Sequence, residues 1–250
     1  MRTLLLGLLL LLCGCEPPQS ELVDAAHYRA FWLWGGVRPQ PVLHQAELLY
    51  LLQGEVRARS RGVALEPQGL PPSRLKVPRL WLSYRVATLE WPQGVVRDLL
   101  RQRAAWQAHG NWVVGIQIDF DAATPRLADY ARFLRQLRRQ LPADCALSIT
   151  GLLDWGANGD LATLNGLAGV VDELVVQTYR GRHTVTDYQH YLPALKRLTL
   201  PFKLGLVQHG QWQPHWQQAF RRQPNYRGEV VFLVNNCYKC TFTCHCIVTC

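Results

Sequence analysis

Two aspartates, Asp119 and Asp121, follow a strongly apolar segment near the middle of the chain. That segment, residues 112–118, is rich in β-branched residues and predicts a buried strand. Because side chains two apart in a strand share a face, Gln117 and both aspartates would line one side, with the carboxylates roughly 6–7 Å apart. Acids at the end of a buried strand are costly unless partners or function retain them. We therefore predict a functional pair; the alternative is a structural pair held by an arginine such as Arg85.

The chemistry that such a pair suits is proton transfer. Two neighbouring carboxylates raise the pKa of one of them, and a carboxyl that keeps its proton can act as a general acid. We assign the acid role to Asp121 and the partner role to Asp119. The sequence contains no Gly-x-Ser-x-Gly element for a serine nucleophile and no glycine-rich phosphate loop. No cofactor and no catalytic metal is implied.

The elements that must position this pair alternate along the chain. Eight strand signals occur at 27–34, 47–55, 77–86, 112–121, 146–153, 173–179, 202–207 and 229–234. Helical patterns lie at 92–109, 124–141, 161–170, 187–198 and 214–222, and residues 60–72 predict a loop. The mostly βα order predicts an α/β fold, a single-domain (β/α)8 TIM-type barrel over residues 27–234.

Chemistry in such barrels lies where the strands end, at the carboxyl side. Polar and aromatic residues gather at these predicted strand ends, as a carbohydrate cleft requires, since rings stack on sugar faces and carboxylates or amides bind hydroxyls. Tyr179 joins the two aspartates as a predicted catalytic residue. The predicted substrate contacts are Gln117, Gln177, Arg85, Trp34, Trp155, Asp154 and His209. For the aromatic residues the alternative is ordinary core packing, and for His209 it is a plain loop position.

Two segments carry a resemblance to known families. Gly115-Ile116-Gln117-Ile118-Asp119-Phe120-Asp121 resembles the fourth-strand signature of family-18 glycoside hydrolases, the chitinase-like enzymes, and Val175-Val176-Gln177-Thr178-Tyr179 resembles their sixth-strand element. The order of elements from Tyr28 to Val234 is more similar to the bacterial family called domain of unknown function 3142. The resemblance implies a barrel fold, but it does not by itself assign an activity.

The departures from the family-18 signature are specific. The catalytic acid of that family is Glu, and its position is occupied here by Asp121. Of the remaining functional positions, Asp119 and Tyr179 match in kind, whereas Val114, Gln117 and Arg180 do not. An Asp is one methylene shorter than Glu, and a misplacement of about 1 Å can cost on the order of a hundredfold in rate. Two readings therefore stay open: a hydrolase with shifted geometry, and a sugar-binding barrel without turnover.

The N-terminus predicts export and lipid anchoring. Arg2 precedes an apolar run, residues 4–12, that is too short to span a bilayer and predicts a signal peptide over residues 1–14. Leu12-Cys13-Gly14-Cys15 resembles the lipobox of bacterial lipoproteins, which implies cleavage before Cys15 and lipidation of that cysteine. The alternative is an ordinary signal peptide with incidental cysteines. Glu16 follows, rather than Asp, which implies sorting to the outer membrane, and residues 15–26 predict a tether.

The net charge and the C-terminal cysteines limit which binding partners the sequence predicts. The formal net charge is +9, but the arginines are spread along the predicted helices and no nucleic-acid motif occurs, so we expect no nucleic-acid partner. Residues 235–250 hold five of the eight cysteines. We interpret this tail as the product of an altered reading frame; zinc binding is the alternative. The sequence thus predicts an envelope lipoprotein that acts on or binds a polysaccharide, with a non-catalytic binding or assembly lipoprotein as the alternative.

Overall fold

The computed structural model describes residues 20–60, 62–121, 124–157 and 161–235. The predicted signal peptide, the lipidation site Cys15 and the cysteine-rich tail from residue 236 onward lie outside these ranges. Within the described residues, no helix is both long enough and apolar enough to cross a membrane.

Eight parallel strands form a closed barrel. They are β1 (Ala30–Leu33), β2 (Leu48–Arg59), β3 (Arg79–Val86), β4 (Val113–Asp119), β5 (Ala146–Leu152), β6 (Glu173–Gln177), β7 (Phe202–Val207) and β8 (Tyr226–Phe232). Each strand pairs with the next in chain order, and β8 pairs with β1. The predicted (β/α)8 fold is therefore confirmed.

Helices pack around the outside of the barrel. They are α1 (Gln93–Ala108), α2 (Leu127–Arg138), α3 (Asp154–Ala157), α4 (Leu161–Asn165), α5 (Leu192–Leu195) and α6 (Pro214–Arg221). The two longest present the apolar faces that their sequence spacing predicts: Val95, Leu99 and Trp106 of α1 are buried, as are Tyr130 and Leu134 of α2.

Three predicted elements differ from the structure for local reasons. Strand β2 does not end at Gly54 but passes it through a register shift, because the missing side chain lets the neighbouring strand approach closely. The predicted loop 60–72 contains a further strand, Gly62–Pro67, antiparallel to β2. The predicted helix 187–198 is split into a 3-10 turn, Tyr188–His190, and the short α5, whose second residue is Pro193.

Two apolar clusters lie on the two sides of the barrel wall, one outside it and one inside it. The larger lies between the strands and the helices. The smaller fills the barrel interior and consists of Trp32, Leu48, Tyr50, Trp81, Val175, Tyr179, Val207, Val230 and Val234. Inward and outward side chains alternate along each strand, so the odd-numbered positions of β4, Gln117 and Asp119, face the interior.

The described part of the predicted tether is attached to the barrel. Glu21–Leu22 pairs antiparallel with Gln211–Trp212, just beyond the carboxyl end of β7. Val23 and Ala25 are buried. The packed chain therefore begins before the predicted domain start at residue 27, and it enters the fold at the end of the barrel where the strands finish.

Candidate functional site

A cavity of about 670 Å³ opens at the carboxyl ends of the barrel strands. Seven of the ten predicted site residues line it: Trp34, Arg85, Asp119, Asp121, Asp154, Gln177 and Tyr179. They come from β3, β4 and β6 and from the segments that follow β1, β4, β5 and β6. The closure of the barrel brings these strand ends together, although they are far apart in sequence.

Asp119 is the buried member of the acid pair. It is the last residue of β4, only 9% exposed, and Thr150 Oγ1 of the neighbouring strand donates a 2.7 Å hydrogen bond to its Oδ1. The pKa of Asp119 is raised to about 6: burial is the largest cause and the negative charge of Asp121 acts in the same direction, whereas the Thr150 hydrogen bond and the positive charge of Arg85 lower it. Desolvation is the larger effect, so this carboxyl holds a proton in mildly acidic solution.

Asp121 is the exposed member of the pair. It lies past the end of β4 and shares the cavity with Asp119. Arg85, also exposed, is the residue of β3 that stands opposite Asp119 in the strand register. No described side chain forms an ion pair with Asp121, so its carboxylate is accessible to a bound molecule. The alternative of a structural pair salt-bridged to Arg85 is not what the structure contains.

Aromatic rings form one side of the cavity. Tyr179 stacks on Phe232 with ring centroids 5.3 Å apart and meets the edge of Trp32 at 6.4 Å. Burial and the charges of the two aspartates raise the pKa of the Tyr179 hydroxyl, which therefore remains protonated and can donate a hydrogen bond. Trp34 is partly exposed and lies 5.9 Å from Phe232. Together these rings offer an apolar face next to the carboxylates.

Gln117 does not contact the cavity, and its predicted role in substrate binding is corrected here. It is fully buried inside the barrel, where its Oε1 accepts hydrogen bonds from Trp32 Nε1 (2.7 Å) and Ser83 Oγ (2.8 Å). Its Nε2 donates to Ser148 Oγ at 3.1 Å. The strand period predicted the correct face, but that face continues below the mouth into the packed interior.

Beneath Gln117 the polar network continues to a buried ion pair. Ser148 Oγ donates to Glu173 Oε1 at 3.2 Å, and Tyr50 also donates to that oxygen. Lys203 forms an ion pair with the other oxygen of Glu173. The barrel interior is thus layered, with an ion pair at the amino ends of the strands, amide and hydroxyl groups in the middle, and Asp119 at the mouth.

The structure places two further predicted contacts, Trp155 and His209, outside the mouth cavity. Trp155 is 1% exposed and packs edge-on against Tyr130 in the outer core, so it cannot stack on a sugar. His209 lies in a separate cleft of about 480 Å³ that also includes Leu22 and Gln211. Its backbone has φ 64° and its amide donates to Val23, since this turn receives the N-terminal segment.

The sequence reasoning missed part of the lining. Thr150, Arg180, Arg182, Tyr191 and Phe232 all border the cavity. Thr150 and Phe232 occupy inward positions near the ends of β5 and β8, which strand alternation could have identified. Arg180 and Arg182 lie on a hairpin after β6 that no sequence signal announced.

Fold and site together define a parallel (β/α)8 barrel with a cavity of charged and aromatic side chains at its carboxyl end. The chain belongs to the family described as Domain of unknown function (DUF3142), whose model matches residues 74–204. That span runs from before β3 into β7 and includes both aspartates and Tyr179. The predicted family resemblance is thereby confirmed. No curated protein matches the chain in sequence.

Solved structures show the same fold at low sequence identity. A xylanase and α-amylase inhibitor protein, XAIP-I, in complex with trehalose has a TM-score of 0.52 and 12% identity, over 81% of this chain and 92% of that one. A second inhibitor protein, XAIP-III, has a TM-score of 0.51 and 13% identity, over 82% of this chain and 93% of that one. The chitinase domain of the spore coat protein CotE from Clostridium difficile has a TM-score of 0.46 and 13% identity, over 84% of this chain and 72% of that one. The two inhibitor proteins support the barrel fold.

Proposed function

We propose that the barrel binds a glycan of the cell envelope in the mouth cavity and that the acid pair hydrolyses a glycosidic bond there. The observation that carries this proposal is the meeting of Asp119, Asp121 and an aromatic wall in one open cavity. A sugar ring has an apolar face and a hydroxylated edge, and this cavity offers rings for the first and carboxylates for the second. Gln177 and Asp154 add further polar contacts.

The two carboxyls differ in ways that suit different roles. Asp121 is exposed, so a glycosidic oxygen can reach it, and we assign it the proton donation to that leaving oxygen. A water molecule attacks the anomeric carbon as the bond from that carbon to the leaving oxygen breaks, and the proton that the water releases restores the protonated Asp121. Asp119 is buried beside it and fixed by Thr150, so it acts as an oriented neighbour rather than as a mobile donor, and it is negatively charged only above about pH 6. Tyr179 and Gln177 hold the sugar by hydrogen bonds.

A second candidate is a barrel that binds glycans without cleaving them. One observation favours it: the family-18 acid position holds an Asp, whose carboxyl is one methylene closer to the backbone than that of Glu. Two solved proteins of this fold are named as inhibitors of xylanase and α-amylase, and one of them is described in complex with trehalose. Binding without turnover is therefore compatible with this barrel.

Lipid anchoring at Cys15, at the outer membrane and facing the periplasm, belongs to this proposal. The described chain starts at Ser20, which borders the cleft beside the barrel mouth. A fully extended chain from Cys15 to Ser20 reaches at most about 18 Å. An anchor at Cys15 would therefore hold the mouth, rather than the opposite end of the barrel, close to the membrane.

The proposal is tested by measuring reducing-end release from a panel of bacterial and chitin-type polysaccharides. We expect release by the parent chain, its loss in Asp121→Asn, and its retention in Asp98→Asn. Asp98 is the matched control because it is a carboxylate on α1, ion-paired with Arg101 away from the cavity. Release that survives in Asp121→Asn refutes the assigned acid. Glycan binding by calorimetry with no release by the folded parent supports the second candidate.

A further inference from the structure

Arginines border the mouth cavity on opposite sides. Arg180 and Arg182 lie on a hairpin in which Tyr179–Arg180 pairs antiparallel with His183–Thr184, and its turn residue Gly181 has φ 59°. Arg85, at the end of β3, approaches from the other side. All three arginines are exposed. The hairpin thus extends the barrel wall and carries two positive charges over the entrance.

The arginines at the mouth form no ion pair with a described carboxylate, as some exposed arginines elsewhere in the described chain do. Arg59 pairs with Glu66, and Arg132 pairs with Asp129. Among the described residues, by contrast, no acid lies within ion-pair distance of Arg85 or Arg180, although both share the cavity with Asp121. Arg182 donates to the backbone oxygen of Asn235, which leaves its charge uncompensated. Guanidinium groups without a carboxylate partner are open to an external anion.

We propose that the glycan bound at the mouth is anionic, with sugar carboxylates held by Arg180 and Arg182. This inference rests on the proposed glycan binding and names the class of glycan. A planar guanidinium matches a carboxylate through two parallel hydrogen bonds, and such charge-assisted bonds are stronger than those to neutral hydroxyls. A uronic acid residue supplies that carboxylate on a sugar ring.

The charges are separated along the cavity in a way that fits a polymer of such sugars. Asp119 is the last residue of β4, inside the barrel, whereas Arg180 and Arg182 lie on the hairpin that follows β6. One sugar linkage can lie over the aspartates while the carboxylate of a neighbouring sugar reaches the hairpin. Arg182 and Val185 also border the neighbouring cleft that contains His209, so the bound chain can continue past the hairpin into that cleft.

The test compares a carboxylated glycan with its uncharged ester and with a sulfated glycan. Calorimetry with the full chain uses an oligogalacturonate, its methyl ester and a dextran sulfate. We expect the oligogalacturonate to bind at least about tenfold more tightly than its methyl ester, and Arg180→Gln to remove most of that preference. Arg139→Gln is the matched control: Arg139 is exposed and follows α2, next to Arg138, which donates to Cys145 at the start of β5 and therefore marks the opposite end of the barrel.

Each other outcome has a defined meaning. Equal binding of the oligogalacturonate and its ester overturns the anionic preference and leaves glycan binding intact. An equal loss in Arg180→Gln and Arg139→Gln shows general charge attraction by a basic protein, which also overturns it. Dextran sulfate that binds as tightly as the oligogalacturonate rejects recognition of carboxylates in particular. If no saccharide of this set or of the polysaccharide panel binds, the proposed function fails as well.

Discussion

Thr150 Oγ1 donates a hydrogen bond of 2.7 Å to Asp119 Oδ1, and this bond joins β5 to β4 at the mouth of the barrel. It stabilises the ionised carboxylate, whereas burial disfavours it, and burial has the larger effect on the pKa. The charge of Asp119 therefore changes near pH 6. This titration has a measurable consequence for the stability of the fold.

The stability of the fold should decline as pH rises through the titration of Asp119. In the folded chain the pKa of Asp119 is about 6, against an ordinary value of 3.8, so between these two pH values the folded state binds a proton that the unfolded state has lost. Stability from this group is thus fully present below about pH 4 and is lost as pH approaches 6, by about 2–3 kcal/mol. Asp119→Asn cannot ionise. We therefore expect the Asp119→Asn chain to be more stable, relative to the parent, at pH 7 than at pH 4.

Urea unfolding at pH 4, 5, 6 and 7 measures this difference, with Asp98→Asn as the control, since Asp98 is an ion-paired carboxylate on the outside of α1. A difference between Asp119→Asn and the parent that stays constant across this range would contradict the raised pKa.

The two tryptophans predicted to stack on sugars should behave in opposite ways. Trp34 borders the cavity and is partly exposed, so Trp34→Ala should weaken glycan binding with a small effect on thermal stability. Trp155 is buried against Tyr130, so Trp155→Ala leaves a core cavity and should cost about 3–5 kcal/mol of stability. Calorimetric titration with thermal unfolding separates the two. Weakened binding by a fully stable Trp155→Ala chain would restore its predicted binding role.

Gln117 should matter for stability rather than for substrate contact. Gln117→Leu leaves the buried Trp32 indole and the Ser83 hydroxyl without their acceptor, at a cost of about 2–3 kcal/mol. Gln136→Leu on the exposed side of α2 should have little effect. Chemical unfolding of both variants gives the comparison. A change in glycan affinity without any loss of stability in Gln117→Leu is the opposite result.

The ion pair between Glu173 and Lys203 should show strong coupling. Both side chains are nearly buried, so Lys203→Met leaves an uncompensated carboxylate and should cost about 3–5 kcal/mol. The double variant Glu173→Gln with Lys203→Met should recover part of that loss, because no buried charge then remains. A double-mutant cycle by urea unfolding measures the coupling energy, and strictly additive losses would show that the pair is not coupled.

Much of the fold was predictable because its signals are local. The β-branched run before Asp119 and the apolar spacing of α1 follow from the periods of strand and helix. The alternation of these signals is sufficient to predict a barrel. The predicted end of β2, at residue 55 just after Gly54, is too early, since a glycine that ends a strand and one that permits close approach look the same in sequence.

The candidate site was predictable only at its strand ends. The sequence by itself determined that Asp119 and Asp121 stand at the carboxyl end of a buried strand. The apolar run before them predicts that strand, and residues two apart in a strand share a face. Only the tertiary structure decided which residues share their cavity. Barrel closure brought in Thr150 and Phe232 and took Gln117 into the packed interior. The order of strands around the barrel, the depth of each side chain and the shape of the hairpin with Arg180 depend on contacts between residues distant in sequence, which local periodicity does not encode.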